Sequence, residues 1–200
     1  MSSIGNDEVC TVLLCGVGGQ GTILAADLLA HCAMAKGLEV KLSEVHGMAQ
    51  RGGAVTTVVR FGKQVSSMVT DPGCADYVLA FETTEALRNE VFLKTDGVMI
   101  VNDEAIQPLP VLTGLGTMPE RVGERLAEVD AHVIPAITLA EEAGNIKAVN
   151  VVLLGVLASF LSFEEDFWLE QIKKKVPPKT IEVNLKAFKI GLEHARATQD

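Results

Sequence analysis

The stretch Val9-Cys10-Thr11-Val12-Leu13-Leu14-Cys15-Gly16-Val17-Gly18-Gly19-Gln20-Gly21-Thr22 decides how this chain is read. Its first seven residues are apolar apart from Thr11 and run into glycine, the pattern of a strand buried on both faces. Residues 22–36 have helical length, with Ile23, Leu24, Leu28 and Cys32 among the apolar positions, and Gly37 stops the run as a C′ glycine does. Residues 39–43 then read as a second strand. Strand, glycine turn, helix and strand in that order predict a βαβ unit.

Within the turn, Gly16, Gly18 and Gly21 match G-x-G-x-x-G in the context that gives the pattern meaning. The first glycine permits the tight turn, the second lets backbone approach a pyrophosphate, and the third lets helix and strand pack closely. The helix N-terminus offers unpaired N–H groups to an anion. Gly19 adds conformational freedom and Gln20 can donate a side-chain hydrogen bond. Glu44 follows the second strand, where an acid holds a ribose hydroxyl in a dinucleotide site. Gly16, Gly18, Gly19, Gln20, Gly21 and Glu44 are therefore the candidate cofactor-binding residues. On these residues alone three readings stand: a nucleotide or phosphate site, glycines that only let the helix pack, and backbone presented to another subunit.

A second motif follows, Ser43-Glu44-Val45-His46-Gly47-Met48-Ala49-Gln50-Arg51-Gly52-Gly53. A dinucleotide domain continues into a helix after its second strand. This chain instead enters a glycine-bounded polar segment whose Glu, His, Gln and Arg need water or a ligand to satisfy them. His46, Gln50, Arg51 and Gly52 are the candidates for a substrate or subunit-interface loop, because ligands of open α/β sheets lie at the carboxyl ends of strands.

The two motifs together resemble the gamma domain of the pyruvate/2-oxoacid:ferredoxin oxidoreductases. The compact, separately encoded form is most similar to the beta-subunit type of indolepyruvate ferredoxin oxidoreductases. The resemblance implies a non-autonomous cytoplasmic subunit of an enzyme that decarboxylates a 2-oxoacid, here an arylpyruvate, reduces ferredoxin and releases an acyl-CoA. It places thiamine diphosphate and the iron–sulfur clusters on a large partner subunit, with coenzyme A as co-substrate and no cofactor held tightly by this chain alone. By analogy the glycine loop and Gln50-Arg51 face that subunit, where Arg51 pairs with a carboxylate or phosphate through its planar fork. Two competitors remain: an independent NAD(P)- or FAD-binding oxidoreductase, and a non-catalytic scaffold. No catalytic residue can be assigned.

Length and composition agree with a globular chain of one domain, or of one domain with a small helical annex. Its 200 residues are 48% hydrophobic and 22% charged. The net charge of -9 and 4% aromatics oppose nucleic-acid binding, which needs basic surface and stacking faces. The one basic cluster, Lys173-Lys174-Lys175 with Lys179, Lys186 and Lys189, reads as a solvated helix face or a docking surface for an acidic partner. Cys10, Cys15, Cys32 and Cys74 lack CxxC spacing and the four histidines lack metal spacing, so no metal site is expected. The first eight residues lack the pattern of a signal peptide, and residues 149–161 are too short to span a bilayer. A reducing, cytoplasmic location is the default. An apolar late helix in an acidic chain also suggests a homodimer when the partner is missing.

Downstream, residues 54–61 are β-rich, and Phe61-Gly62-Lys63 looks like a hairpin turn toward residues 64–68. Strands are expected at 77–81, 98–102 and 132–134. Helices are expected at 83–92, 121–128, 136–143, 150–161, 164–175 and 180–197, with a Pro-broken loop or edge at 106–113. The expected fold is α/β: a Rossmann-like, mostly parallel sheet with flanking helices, an antiparallel hairpin addition and a helical C-terminal part. Residues 1–145 would hold the sheet and 146–200 the helices packed on it, as one gamma-type domain.

Overall fold

The structure is a computed structural model that describes residues 9–47 and 53–199. Six strands form one sheet: β1 (Cys10–Val17), β2 (Glu39–His46), β3 (Ala54–Gly62), β4 (Ala75–Ala80), β5 (Leu93–Asn102) and β6 (His132–Ile134). Eight helices surround it: α1 (Thr22–Ala35), α2 (Thr83–Asn89), α3 (Leu109–Leu112), α4 (Val122–Glu128), α5 (Ala136–Ala143), α6 (Val149–Ala158), α7 (Glu165–Lys175) and α8 (Ile181–Gln199). The α/β class expected from the sequence is the class observed.

The strand order is β2-β3-β1-β4-β5-β6, with β1, β4, β5 and β6 parallel and β3 antiparallel to both its neighbours. Two expectations are corrected here. First, β1, α1 and β2 do not form an adjacent βαβ pair, because β3 is inserted between the two strands. Second, the antiparallel hairpin joins β2 to β3, not residues 54–61 to 64–68. Gly62 is the last residue of β3, opposite Glu39, and residues 64–68 form no strand. Side chains hold that segment instead. Val65 is buried and its N–H donates to Glu39 Oε2 at 2.9 Å, while Arg60 donates to the carbonyls of Ser67 and Val69.

Alternate residues of the parallel strands feed two cores, as the two-residue strand period demands. Val12, Leu14, Leu79 and Ile100 pack with α1, α5, α6, α7 and α8. Leu13, Cys15, Val78, Met99 and Val101 pack with residues of α2 and α4 on the opposite face. Helix α6 is buried from Asn150 to Ala158, which explains a sequence apolar on every side. Its C-terminal end is pinned to the sheet by Tyr77, whose hydroxyl donates to the Phe160 carbonyl at 3.0 Å.

The two-faced winding sets the site. From β1 the chain leaves onto the α1 face, whereas from β4 it leaves onto the α2 face. The carboxyl ends of β1 and β4 therefore flank a switch point, the place where open α/β sheets bind ligands.

Candidate functional site

At that switch point the glycine loop is folded back on itself. Gly16 needs to be glycine, because a Cβ there would stand 2.6 Å from Gln20 Oε1 and 2.8 Å from Phe81 Cβ. The Gln20 carboxamide is committed inside the chain: Oε1 accepts from Val17 N–H at 2.8 Å and Nε2 donates to the Phe81 carbonyl at 3.1 Å. Gly21 caps α1 in a left-handed conformation (φ +81°) with no side-chain cap on the helix. Asn150, at the start of α6, donates to the Gly21 carbonyl at 3.2 Å. Gly19, also left-handed at φ +106°, has open space around it.

The two sequence motifs meet at this end of the sheet. Gly18 N–H donates to the Gly53 carbonyl at 2.9 Å, and Gly47 N–H to the Ala54 carbonyl at 2.8 Å. The base of the β2–β3 connection is thus hydrogen-bonded to the glycine loop. Gln50, Arg51 and Gly52 lie outside the described residues. His46 and Glu44 lie on β2, with His46 Nε2 2.6 Å from Glu44 Oε1.

Glu44 is not brought to the glycine loop. It stands opposite Thr57 of β3, and β3 separates β2 from β1, so the strand carrying Glu44 lies about 10 Å from the one carrying the loop. A dinucleotide needs that acid on the strand next to the loop, so Glu44 does not fit a ribose site.

Two buried residues of the site carry no sequence motif. Glu82, 1% exposed, caps α2 by accepting from Thr84 N–H at 3.0 Å and from Glu85 N–H. Asn102 donates to the same Phe81 carbonyl as Gln20, at 3.2 Å. Below them burial pushes the Glu85 carboxyl above its ordinary range, and the nearby Arg88 guanidinium only partly opposes the shift. A separate crevice of about 500 Å³ between α2 and the loop before α4 is lined by Arg88, Arg125, Met118 and Thr117. Both guanidiniums there already face carboxylates, Glu85 and Glu90.

No group of histidine, cysteine or acidic residues among the described residues could hold a metal ion. Nor do the cysteines converge on one site as cluster ligands must: Cys10 and Cys32 lie in the core on one face of the sheet and Cys15 in the core on the other. Burial pushes the Cys10 and Cys15 thiols far up and the Cys32 thiol to about 12. Iodoacetamide applied to the folded protein is accordingly expected to alkylate Cys74 alone, the other three reacting only after denaturation. Peptide mass spectrometry reads the result. Of the lysine cluster, Lys174, Lys175 and Lys186 bond Glu170, Asp27 and the Glu142 carbonyl. No helix among the described residues is long and apolar enough to cross a membrane.

Residues 11–194 match the family model described as pyruvate ferredoxin/flavodoxin oxidoreductase. The chain belongs to this family. It is 41% identical over 197 residues to the indolepyruvate oxidoreductase subunit IorB of Thermococcus kodakarensis, covering 92% of this chain and 95% of that one. In fold it is similar to the gamma subunit of the keto/oxoacid ferredoxin oxidoreductase of Geobacter sulfurreducens. That match has a TM-score of 0.70 and 25% identity, over 94% of this chain and 99% of that one. It shares its fold with part of the 2-oxoglutarate:ferredoxin oxidoreductase of Magnetococcus marinus, whose structure holds 2-oxoglutarate, coenzyme A and succinyl-CoA. There the TM-score is 0.72 at 22% identity, covering 96% of this chain and 32% of that one. Membership makes this chain an oxidoreductase subunit, as its two motifs imply.

Proposed function

We propose that this chain is the small, non-autonomous subunit of a cytoplasmic indolepyruvate-type ferredoxin oxidoreductase, and that its glycine loop and residues 47–53 complete a composite site on a large partner subunit. The partner carries thiamine diphosphate and the iron–sulfur clusters. The assembled enzyme decarboxylates an arylpyruvate, passes two electrons to ferredoxin and releases the acyl group on coenzyme A. One observation carries the composite-site reading: the Gly18–Gly53 hydrogen bond ties both motifs into one surface at the carboxyl end of the parallel strands. Likeness to IorB over nearly the whole chain supports the substrate class. The Magnetococcus structure, in which a similar domain is about a third of a longer chain, supports coenzyme A as co-substrate.

The dinucleotide alternative is disfavoured by the same geometry. Gln20 is occupied, the Gly18 N–H is occupied, and Glu44 is a strand too far away. The deciding experiment is co-expression with a candidate thiamine-dependent large subunit. A stable complex that reduces ferredoxin with indolepyruvate and coenzyme A is expected. Failure to form a complex, or a large rise in melting temperature when the isolated chain is titrated with NAD, defeats the reading.

The connection leaving β5, expected from the sequence as a Pro-broken loop or edge but carrying the short helix α3, supplies a contact surface for that partner. Residues 105–119 contain no charged side chain, and Leu109, Leu112 and Leu115 are 71%, 65% and 85% exposed. Apolar side chains this exposed on an acidic chain gain most from burial in a complex. Replacing all three with Ser is expected to weaken the complex by roughly tenfold or more in Kd. The melting temperature of the isolated chain should move by no more than about 2 °C. Analytical ultracentrifugation of the mixed subunits reads the first effect, and calorimetry of the chain alone reads the second.

A further inference from the structure

We propose that Gln20 is a positioning residue that latches the glycine loop in the shape the composite site needs, and does not itself contact the ligand. The inference rests on the composite-site reading above. Its physical basis is the double commitment of one carboxamide. The Gln20 main-chain N–H donates to the Val17 carbonyl at 3.2 Å, and its side-chain oxygen accepts from the Val17 N–H at 2.8 Å. The same side chain reaches the residue that follows β4, where Nε2 donates to the Phe81 carbonyl at 3.1 Å. That carbonyl also accepts from Asn102 Nδ2 of β5 at 3.2 Å. Two carboxamides thus tie the carboxyl ends of β1, β4 and β5 to a single acceptor.

Only glutamine meets these demands. Glutamate can accept from Val17 but cannot donate to Phe81, and it would set a carboxylate against a carbonyl oxygen. Asparagine is one methylene short of spanning both partners. Methionine fills the space and offers neither bond. Gly16 leaves the room the carboxamide occupies, since a Cβ there would approach Gln20 Oε1 to 2.6 Å. With the loop clamped, Gly18 N–H is aimed at the Gly53 carbonyl, and Gly19 faces open space. The latch therefore sets where the base of the 47–53 segment sits relative to the uncapped N-terminus of α1. A preorganised backbone surface of this kind acts through geometry, and small displacements in it are costly.

The test uses Gln20→Glu and Gln20→Met, in the isolated chain and in the enzyme assembled with its large subunit. Gly16→Ala is a third variant that displaces the same carboxamide from the other side. In the isolated chain, with the far-ultraviolet spectrum retained, amide exchange at Gly18 is expected to accelerate by about tenfold or more in every variant, and exchange at Val17 to do so in Gln20→Met and Gly16→Ala, where its N–H loses the carboxamide oxygen. In the assembled enzyme the KM for coenzyme A is expected to rise about tenfold while kcat stays within about twofold. Unchanged exchange together with an unchanged KM overturns the latch. A raised KM with unchanged exchange means that Gln20 touches the ligand itself, which also overturns it. Accelerated exchange with unmoved KM values leaves the latch intact and defeats the composite-site reading. If one variant fails to fold, the remaining two carry the same readouts.

Discussion

Gly155→Ala is expected to destabilise the chain by about 3 kcal/mol or more, the upper end of what overpacking a core costs. Helices α6 and α8 cross with their backbones in contact. A Cβ on Gly155 would stand 2.2 Å from the Phe188 carbonyl oxygen and 3.0 Å from the Leu192 nitrogen, and one on Gly191 would stand 2.1 Å from the Val152 carbonyl oxygen. None of these atoms is the end of a flexible side chain, so only separation of the helices relieves the clash. Separation would open voids around Val151, Leu154 and Phe188, all fully buried, and a gap in a close-packed interior forfeits contacts outright. For a chain of this size the loss corresponds to a fall in melting temperature of roughly 6–12 °C. Gly123→Ala is the matched control. Gly123 lies in α4 with nothing within 4 Å of a would-be Cβ, so alanine there should be neutral or stabilising by up to about 1 kcal/mol. A Gly155→Ala protein melting within about 2 °C of the parent would show that the helices do not cross this closely.

Gly155 also shows what the sequence conveyed and what it hid. In the sequence it is an interruption of an apolar run, as is Asn150, and neither declares a purpose. Their partners are remote: Phe188 for the glycine, and the Gly21 carbonyl, 129 residues back along the chain, for the asparagine. Local pattern fixes periodicity, so the strand, glycine turn and helix of residues 10–35 were legible, and so were β6 and α5. It does not fix which strand lies beside which. β2 and β3 each look like ordinary half-buried strands, and nothing in residues 54–62 announces that β3 slides between β1 and β2. That single insertion removes Glu44 from the glycine loop and turns the polar segment into the connection of a hairpin.

The same limit governed Gln20. Read locally, a glutamine in a glycine loop is a free donor for a ligand. One of its partners is only three residues away, but the other lies 61 residues on, and that one consumes the donor. The pairing of the two motifs was nevertheless visible, because each ends a strand of the same polarity. The Gly18–Gly53 bond is the physical form of that pairing.

Arg51→Ala is expected to raise the KM of the assembled enzyme for coenzyme A by about 10- to 100-fold, the loss of one charge-assisted hydrogen-bonded contact. Under the proposed function an anionic group, phosphate or carboxylate, must be held at the carboxyl end of the sheet of a chain whose net charge is -9. Helix α1 offers its uncapped N-terminus there, with no acidic residue in its first turn. Such a helix end supplies about half a unit of positive charge, too little to hold a multiply charged phosphate by itself. Residues 44–53 contain a single lysine or arginine, Arg51, while His46 is paired with Glu44 on the adjoining strand. Arg51 is thus the segment's one permanent cation, and its planar fork suits bidentate contact with either anion. Arg51→Lys keeps the charge without the fork and should recover part of the affinity. Steady-state kinetics with coenzyme A varied at saturating 2-oxoacid separates the outcomes. A KM that rises with kcat unchanged assigns Arg51 to coenzyme A binding, whereas unaltered kinetics in both variants would remove Arg51 from the site.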